Sequence, residues 1–281
     1  MNAFQAILMY IVWFISTYFV VLFILLVVNQ QDTLFERSKY NLKKPYPKVS
    51  MILPAFNEEN TIYDSLKSLQ RIDYPKDKLE IIVINDGSSD NTSKIIKKYL
   101  TKYPNEKIIY LDNQNNKGKA HRLNQGIKIA TGKYVVCMDA DTKVKQNILK
   151  KTIPDFYDDQ VGAVTVSIDL KPKNLLQKIT EVEYAIGLSL SIKLLSILDS
   201  VHVTPGPFTI FRKKMLNEIG GFDINNITED TEIAYRIKKA GYLIKCNLNT
   251  KVYTDVPDTL KKLFKQRKRW YTGSLQTVKQ H

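Results

Sequence analysis

The chain has 281 residues, a formal net charge of +14, 44% hydrophobic and 25% charged residues. That length allows one large domain or two small ones, and the apolar content argues for a packed core rather than a disordered chain. Two cysteines, Cys137 and Cys246, with only three histidines, argue against a disulfide framework and against a zinc site. The excess of Lys and Arg leaves three kinds of partner open: nucleic acid, an anionic membrane, or small molecules that carry phosphate.

Residues 6–28 carry no charge and are dominated by Ile, Leu, Val, Phe, Tyr and Trp. As a helix, this stretch is roughly 35 Å long, enough to cross a hydrocarbon core of about 30 Å. A cleaved signal peptide would show a basic start, a shorter apolar run and an Ala-x-Ala-like site. The start here is Met1-Asn2-Ala3-Phe4-Gln5, and no such site follows, so a retained anchor is expected over 1–29. Arg37, Lys39, Lys43, Lys44 and Lys48 come after the span, and no Lys or Arg precedes it. The positive-inside bias places the rest of the chain in the cytoplasm, as a linker over 30–48 and then the folded part.

Beyond the linker, strands are expected over 49–53, 79–84, 108–111, 133–138 and 161–167. Helices are expected over 61–69, 92–103 and 118–130. Strands alternating with helices of this length predict an α/β fold, a mostly parallel sheet covered by helices on both faces. Ligands of such sheets sit at the carboxyl ends of the strands. The second half differs. Residues 175–198 read as a long helix, in the core or along a membrane surface, with the surface preferred. Thr204-Pro205-Gly206-Pro207 breaks the chain before a strand over 208–211. Two helices come next, 229–240 and 259–279.

The polar groups fall where the strands end. Asp139-Ala140-Asp141 closes an apolar strand, and two carboxylates one residue apart can point to the same side. That pair suits an octahedral Mg²⁺ or Mn²⁺ and, through it, a diphosphate. Asp86 closes the second strand, where its carboxylate can accept a hydrogen bond from a base or a ribose. Asp90 or Asn91 reads as the cap of the next helix. Lys119, in Asn116-Lys117-Gly118-Lys119-Ala120, stands at a helix start that fits a phosphate. Asp230, in Thr228-Glu229-Asp230, fits a general base for an acceptor hydroxyl, with Thr228 as the helix cap. Six of the nine residues 261–269 are basic, which with Leu260, Leu263, Phe264 and Trp270 makes an interfacial amphipathic helix. Arg269 on that helix can pair with diphosphate, and Trp270 offers a flat face on which a sugar can stack.

Taken together and in order, Pro54-x-x-Asn57-Glu58, Asp86-Gly-Ser-Ser-Asp, Gly118-Lys119-Ala120, Asp139-x-Asp141, Thr228-Glu229-Asp230 and Gln266-x-x-Arg269-Trp270 resemble the membrane-bound processive glycosyltransferases of family 2, the inverting GT-A enzymes of the cellulose, chitin, hyaluronan and poly-N-acetylglucosamine synthase kind. The resemblance runs from Val49 to Gly273. It implies a Rossmann-like GT-A domain over 49–258 and an interfacial helix with the Gln-x-x-Arg-Trp segment over 259–281. It implies a nucleoside diphosphate sugar as donor, UDP-linked by family preference, with Pro54, Asn57, Glu58, Asp86, Lys119, Asp139 and Arg269 on the donor side. Asp139 and Asp141 would hold the metal, Asp230 would be the base, and Glu229, Gln266 and Trp270 would lie beside the acceptor and donor sugar. Pro205-Gly206-Pro207 is similar to the segment lining the acceptor entrance. The implied product is a growing β-linked glycan on the membrane.

One departure stands out. Processive members carry several membrane helices after the Gln-x-x-Arg-Trp segment, whereas this chain ends eleven residues beyond Trp270. Either it is a fragment, or it is a short member that needs a membrane partner subunit for translocation. Two other readings remain. A non-processive transferase adding one sugar to a lipid-linked acceptor would share the early motifs but not Gln-x-x-Arg-Trp. A tethered nucleic-acid binder would spread its basic residues over a surface and would have no need of acidic clusters, so no nucleic acid partner is expected.

Overall fold

The computed structural model of the chain describes residues 2–30, 42–104 and 106–281. Arg37 and Lys39 of the basic flank lie outside the described residues. The chain forms two compact units, Met1–Arg37 and Ser38–His281. In the first, α1 (Ala3–Asn29) is 27 residues long and buries none of its side chains. Asn2 and Gln5 start it reciprocally: Gln5 N donates to Asn2 Oδ1 at 2.8 Å, and Asn2 N donates to Gln5 Oε1 at 3.1 Å.

In the second unit the expected alternation begins with β1 (Val49–Ala55), α2 (Ile62–Gln70), β2 (Leu79–Asp86), α3 (Thr92–Lys102), β3 (Ile108–Asn113), α4 (Lys119–Ile129) and β4 (Tyr134–Met138). It continues with β5 (Lys143–Val144), α5 (Ile148–Thr152), β6 (Val161–Asp169), α6 (Leu175–Tyr184), a π-helical turn (Ala185–Leu190), α7 (Ser191–Ile197), β7 (Phe208–Arg212), α8 (Lys213–Glu218), α9 (Glu229–Lys239), β8 (Leu243–Tyr253) and α10 (Leu260–Gln280). These eight strands join one sheet in the order β3-β2-β1-β4-β7-β6-β8-β5.

Side-chain alternation along the strands divides the core into two layers. Met51, Leu53, Ile81, Val83, Val136 and Met138 face one layer with Ile62, Leu66, Leu69 and Tyr99. Ile52, Ile82, Ile84, Val135 and Cys137 face the other, with Leu123, Ile127, Ile233 and Ile237. Strands buried on both faces read as continuous apolar runs, which is why β1, β2 and β4 stand out in the sequence.

The sheet is parallel from β3 to β4. Beyond β4 the directions mix: β7 runs antiparallel to both β4 and β6, β8 is parallel to β6, and β5 is antiparallel to β8. The mostly parallel expectation therefore holds for the first half and gives way to a mixed sheet in the second. The connection from β6 to β7 passes through α6, the π-helical turn, α7 and residues 198–207, after which β7 enters antiparallel to β6.

The long helical segment is part core and part surface. Tyr184, Ile192 and Leu194 are buried in the core, whereas Leu175, Ile179, Val182 and Ile186 form an exposed stripe. β8 has no counterpart among the expected strands. Ile244 and Cys246 alternate inward as a strand should, but the ladder with β6 shifts register between Val166 and Ser167, and Asn247-Leu248-Asn249 there reads as a turn in sequence.

Candidate active site

Eight residues expected at the site line one cavity of about 330 Å³: Lys119, Asp139, Asp141, Glu229, Asp230, Gln266, Arg269 and Trp270. They arrive from four places in the chain. Lys119 is the first residue of α4, Asp139 and Asp141 come just after β4, Glu229 and Asp230 open α9, and the last three lie on α10. Parallel strands ending at one level bring the first two groups together. α10 joins them because Gly273 packs against Thr228: a Cβ at 273 would lie 2.4 Å from the Thr228 side chain.

Electrostatics at the cavity floor are dominated by acids around one cation. Lys119 Nζ is 2.6 Å from Asp139 Oδ1 and 2.8 Å from Glu229 Oε1. Burial works against the ammonium's charge, but Asp139, Glu229 and Asp230 outweigh it and hold the lysine well above its usual pKa. Burial also works against Glu229, and there Lys119 prevails, holding that carboxylate below the usual range. Asp230 keeps less of this benefit. Burial, with Glu229 beside it, lifts its carboxyl to about 6 despite Lys119. A carboxyl poised near neutrality is what a general base needs. Its backbone is fixed, since Asp230 O accepts from Thr204 N at 3.0 Å and Thr204 Oγ1 at 2.9 Å.

Asp141 is lifted to about 7, first by burial and then by the like charges of Asp139 and Glu58. Thr254 and Thr142 each donate a hydroxyl to its Oδ1, at 3.1 and 3.2 Å. Two carboxylates one residue apart, with no ion-pair partner for Asp141 among the described residues, fit a divalent cation. Among the described residues no group of three acidic, His or Cys side chains is arranged around a metal position. The pair would therefore leave most of an octahedral shell to diphosphate oxygens and water, as Mg²⁺ and Mn²⁺ commonly do.

Two aromatic residues also line the cavity. Trp270 lies 6.2 Å from Tyr184, centroid to centroid, and the Arg267 guanidinium sits 4.2 Å over the indole while pairing with Glu183 at 2.7 Å. Gln266, which also lines the cavity, has a buried Oε1 that accepts no hydrogen bond among the described residues.

Four expected donor-side residues do not line the cavity. Asp86 is 3% exposed and its carboxylate is engaged within the protein: Oδ1 accepts from Lys117 N at 2.9 Å and Arg122 Nε at 2.6 Å, and Oδ2 from Gly118 N at 2.9 Å. These bonds fix the loop that launches Lys119. Pro54 is buried within β1. Asn57 accepts from Ser89 N at 2.9 Å, tying the loop after β1 to the loop after β2. Glu58 accepts from Thr61 Oγ1 at 2.5 Å, and burial, then Asp139 and other acids, raises its carboxyl. Thr228 is the N-cap of α9 by position only, because its hydroxyl turns to Asn226 Oδ1 and makes no cap bond. Asp90 satisfies the start of α3, accepting from Thr92 N at 2.9 Å. Arg122, Tyr184, Thr204 and Thr254 shape the site without belonging to any expected motif. Only Arg122 carries a sequence signal, being a cation one helical turn from Lys119.

One cavity thus sets paired carboxylates at the end of β4 opposite an acidic helix start. The chain matches the Glycosyl transferase family 2 model over residues 50–220 and belongs to that family. It is 41% identical over 199 residues to a poly-beta-1,6-N-acetyl-D-glucosamine synthase of Staphylococcus aureus, an alignment covering 70% of this chain and 48% of that protein. The corresponding synthase of Staphylococcus epidermidis is 37% identical over 196 residues, covering 69% and 47%. The chain thus spans about half the length of the curated relatives it matches. Among solved structures, a mannosyltransferase from Pyrobaculum calidifontis, in complex with GDP-Man and Mn²⁺, superposes with a TM-score of 0.72 at 23% identity, covering 92% of this chain and 71% of that one. S. aureus TarS 1-349 in complex with UDP-GlcNAc gives 0.60 at 22%, covering 75% and 59%. Both likenesses show the fold.

Proposed function

We propose that this chain is the catalytic part of a membrane-anchored, inverting glycosyltransferase that moves a sugar, N-acetylglucosamine from UDP-GlcNAc, to a growing β-linked glycan. The observation that carries this reading is that Asp139, Asp141 and Asp230 line one cavity. The choice of sugar and of a polymeric product rests on the likeness to the two staphylococcal synthases. The proposed organisation is an anchor over 1–29, a linker over 30–48, the transferase domain over 49–258 and the α10 segment over 259–281. The 27-residue apolar helix and the basic residues after it support one span with the folded part in the cytoplasm.

In the reaction proposed, Asp230 takes the proton of an acceptor hydroxyl, which attacks the anomeric carbon in a single in-line displacement. One displacement inverts that centre, so an α-linked donor gives a β-linkage. Lys119 and Arg269 pair with the diphosphate, and Trp270, backed by Tyr184 and Arg267, seats the acceptor ring. Asp139 and Asp141 would hold Mg²⁺ or Mn²⁺, which when bound neutralises the departing diphosphate. Asp86 acts from behind through the 116–118 loop. A glycan or lipid-linked acceptor and a membrane partner subunit complete the expected set of partners.

The test is a donor screen on membranes carrying the chain, reading released nucleoside diphosphate. Release is expected with UDP-GlcNAc and lost in EDTA. No release from any UDP-sugar, or equal turnover in EDTA and in Mn²⁺, contradicts the reading. Product length then separates a polymer from a single added sugar.

A further inference from the structure

Lys119 occupies ground that a bound cation needs. Its ammonium touches Asp139 Oδ1 at 2.6 Å and bridges to Glu229 Oε1 at 2.8 Å. A positive charge already seated on that oxygen repels a second one and competes for the same lone pairs. The lysine is held there from above. Gly206 lies so close that a Cβ built on it would be 2.6 Å from Lys119 Nζ and 3.1 Å from Asp139 Oδ2. Its φ lies outside the left-handed region, so the backbone accepts any residue and only the space is special.

The segment carrying Gly206 cannot simply step back. Thr204 N and Oγ1 both donate to Asp230 O, and Thr209 Oγ1 donates to Pro205 O at 3.0 Å. Prolines on either side limit the backbone further. Lys119 itself has room to move: its side chain is 31% exposed, through the cavity, on a flexible four-carbon stem.

We propose that Lys119 and Gly206 form a latch on Asp139: without a donor, the ammonium holds the carboxylate that a divalent cation requires, and an arriving diphosphate draws the ammonium away. Cation capture is thereby coupled to the nucleotide, and Gly206 is a positioning residue that gives the ammonium access to Asp139. This rests on the proposed reading of Asp139 and Asp141 as cation ligands.

The test is Mn²⁺ binding by the full chain, tracked by loss of the free-ion electron paramagnetic resonance signal beyond that seen in protein-free samples of the same Mn²⁺ and UDP concentrations, with and without UDP. For the wild type, weak binding is expected from Mn²⁺ alone and binding at least about tenfold tighter with UDP present. Lys119→Met is expected to bind Mn²⁺ alone about tenfold more tightly than the wild type. Gly206→Ala, which keeps the charge but displaces the ammonium, is expected to shift in the same direction. UDP-dependent Mn²⁺ binding in the wild type, with both variants unchanged in Mn²⁺ alone, overturns the latch only. A wild type that binds no Mn²⁺ even with UDP overturns the underlying reading and the latch together.

Discussion

Asp230 is the residue on which the chemistry turns, and its surroundings make its protonation observable. Lys119 faces it from α4, Asp139 from the end of β4 and Glu229 from the preceding position, with Arg269 and His202 lining the same cavity. The balance leaves the carboxyl at about 6, above the ordinary aspartate range. A base works only when deprotonated, so the active fraction is full above that pH and lost as pH falls through it. kcat/KM for transfer is expected to fall about tenfold per unit below pH 6 and to level off above it. A flat profile from pH 5 to 8 contradicts the assignment. At this scale the motif residues are legible in the sequence because each lies at a strand end or helix start, where chain direction fixes what a side chain can reach. Asp86 is legible as a strand-end acid, but not as one engaged by Arg122 and two backbone amides. Sequence spacing does not reveal which of two nearby cations, Lys119 or Arg122, turns toward which acid.

At the scale of elements, the site depends on α10 docking against the start of α9. Gly273 makes that approach possible, and Asn226 Nδ2 donates to Thr277 Oγ1 at 3.1 Å one turn further on. Replacing glycine by alanine inside a helix ordinarily stabilises by about 1 kcal/mol. Here the new methyl would meet Thr228, and overpacking of this kind costs about 1–3 kcal/mol. Gly273→Ala is therefore expected to lower the melting temperature and reduce transfer, as Gln266, Arg269 and Trp270 shift with the helix. A raised melting temperature with unchanged transfer contradicts the docking role. The two-face alternation of β1, β2 and β4 is legible as apolar runs, and α10 as a basic amphipathic pattern. β8 is not, because its bulge interrupts the period of two with Asn247 and Asn249. The reversal of β7, antiparallel to β4 and β6, is not legible either, since an apolar run carries no signal of the direction in which a strand pairs.

At the scale of the whole molecule, +14 net charge coexists with a cavity floor that is mostly acidic. Seven of the 42 Lys and Arg residues lie on α10, where Leu260, Phe264, Tyr271, Leu275 and Val278 are also exposed. The cavity itself holds two cations, Lys119 and Arg269, among its acids, a composition that suits phosphate handled together with a metal rather than a long polyanion. The order of the motifs along the chain is legible in the sequence. Their convergence on one cavity is not, since it requires α10 to fold back across the end of β4. That convergence is tested most directly by measuring UDP binding and sugar transfer side by side in Asp230→Asn. Retained UDP binding with transfer reduced by about 10²–10⁴-fold is expected of a general base that does not hold the nucleotide. Wild-type transfer, or UDP binding lost together with transfer, contradicts the account.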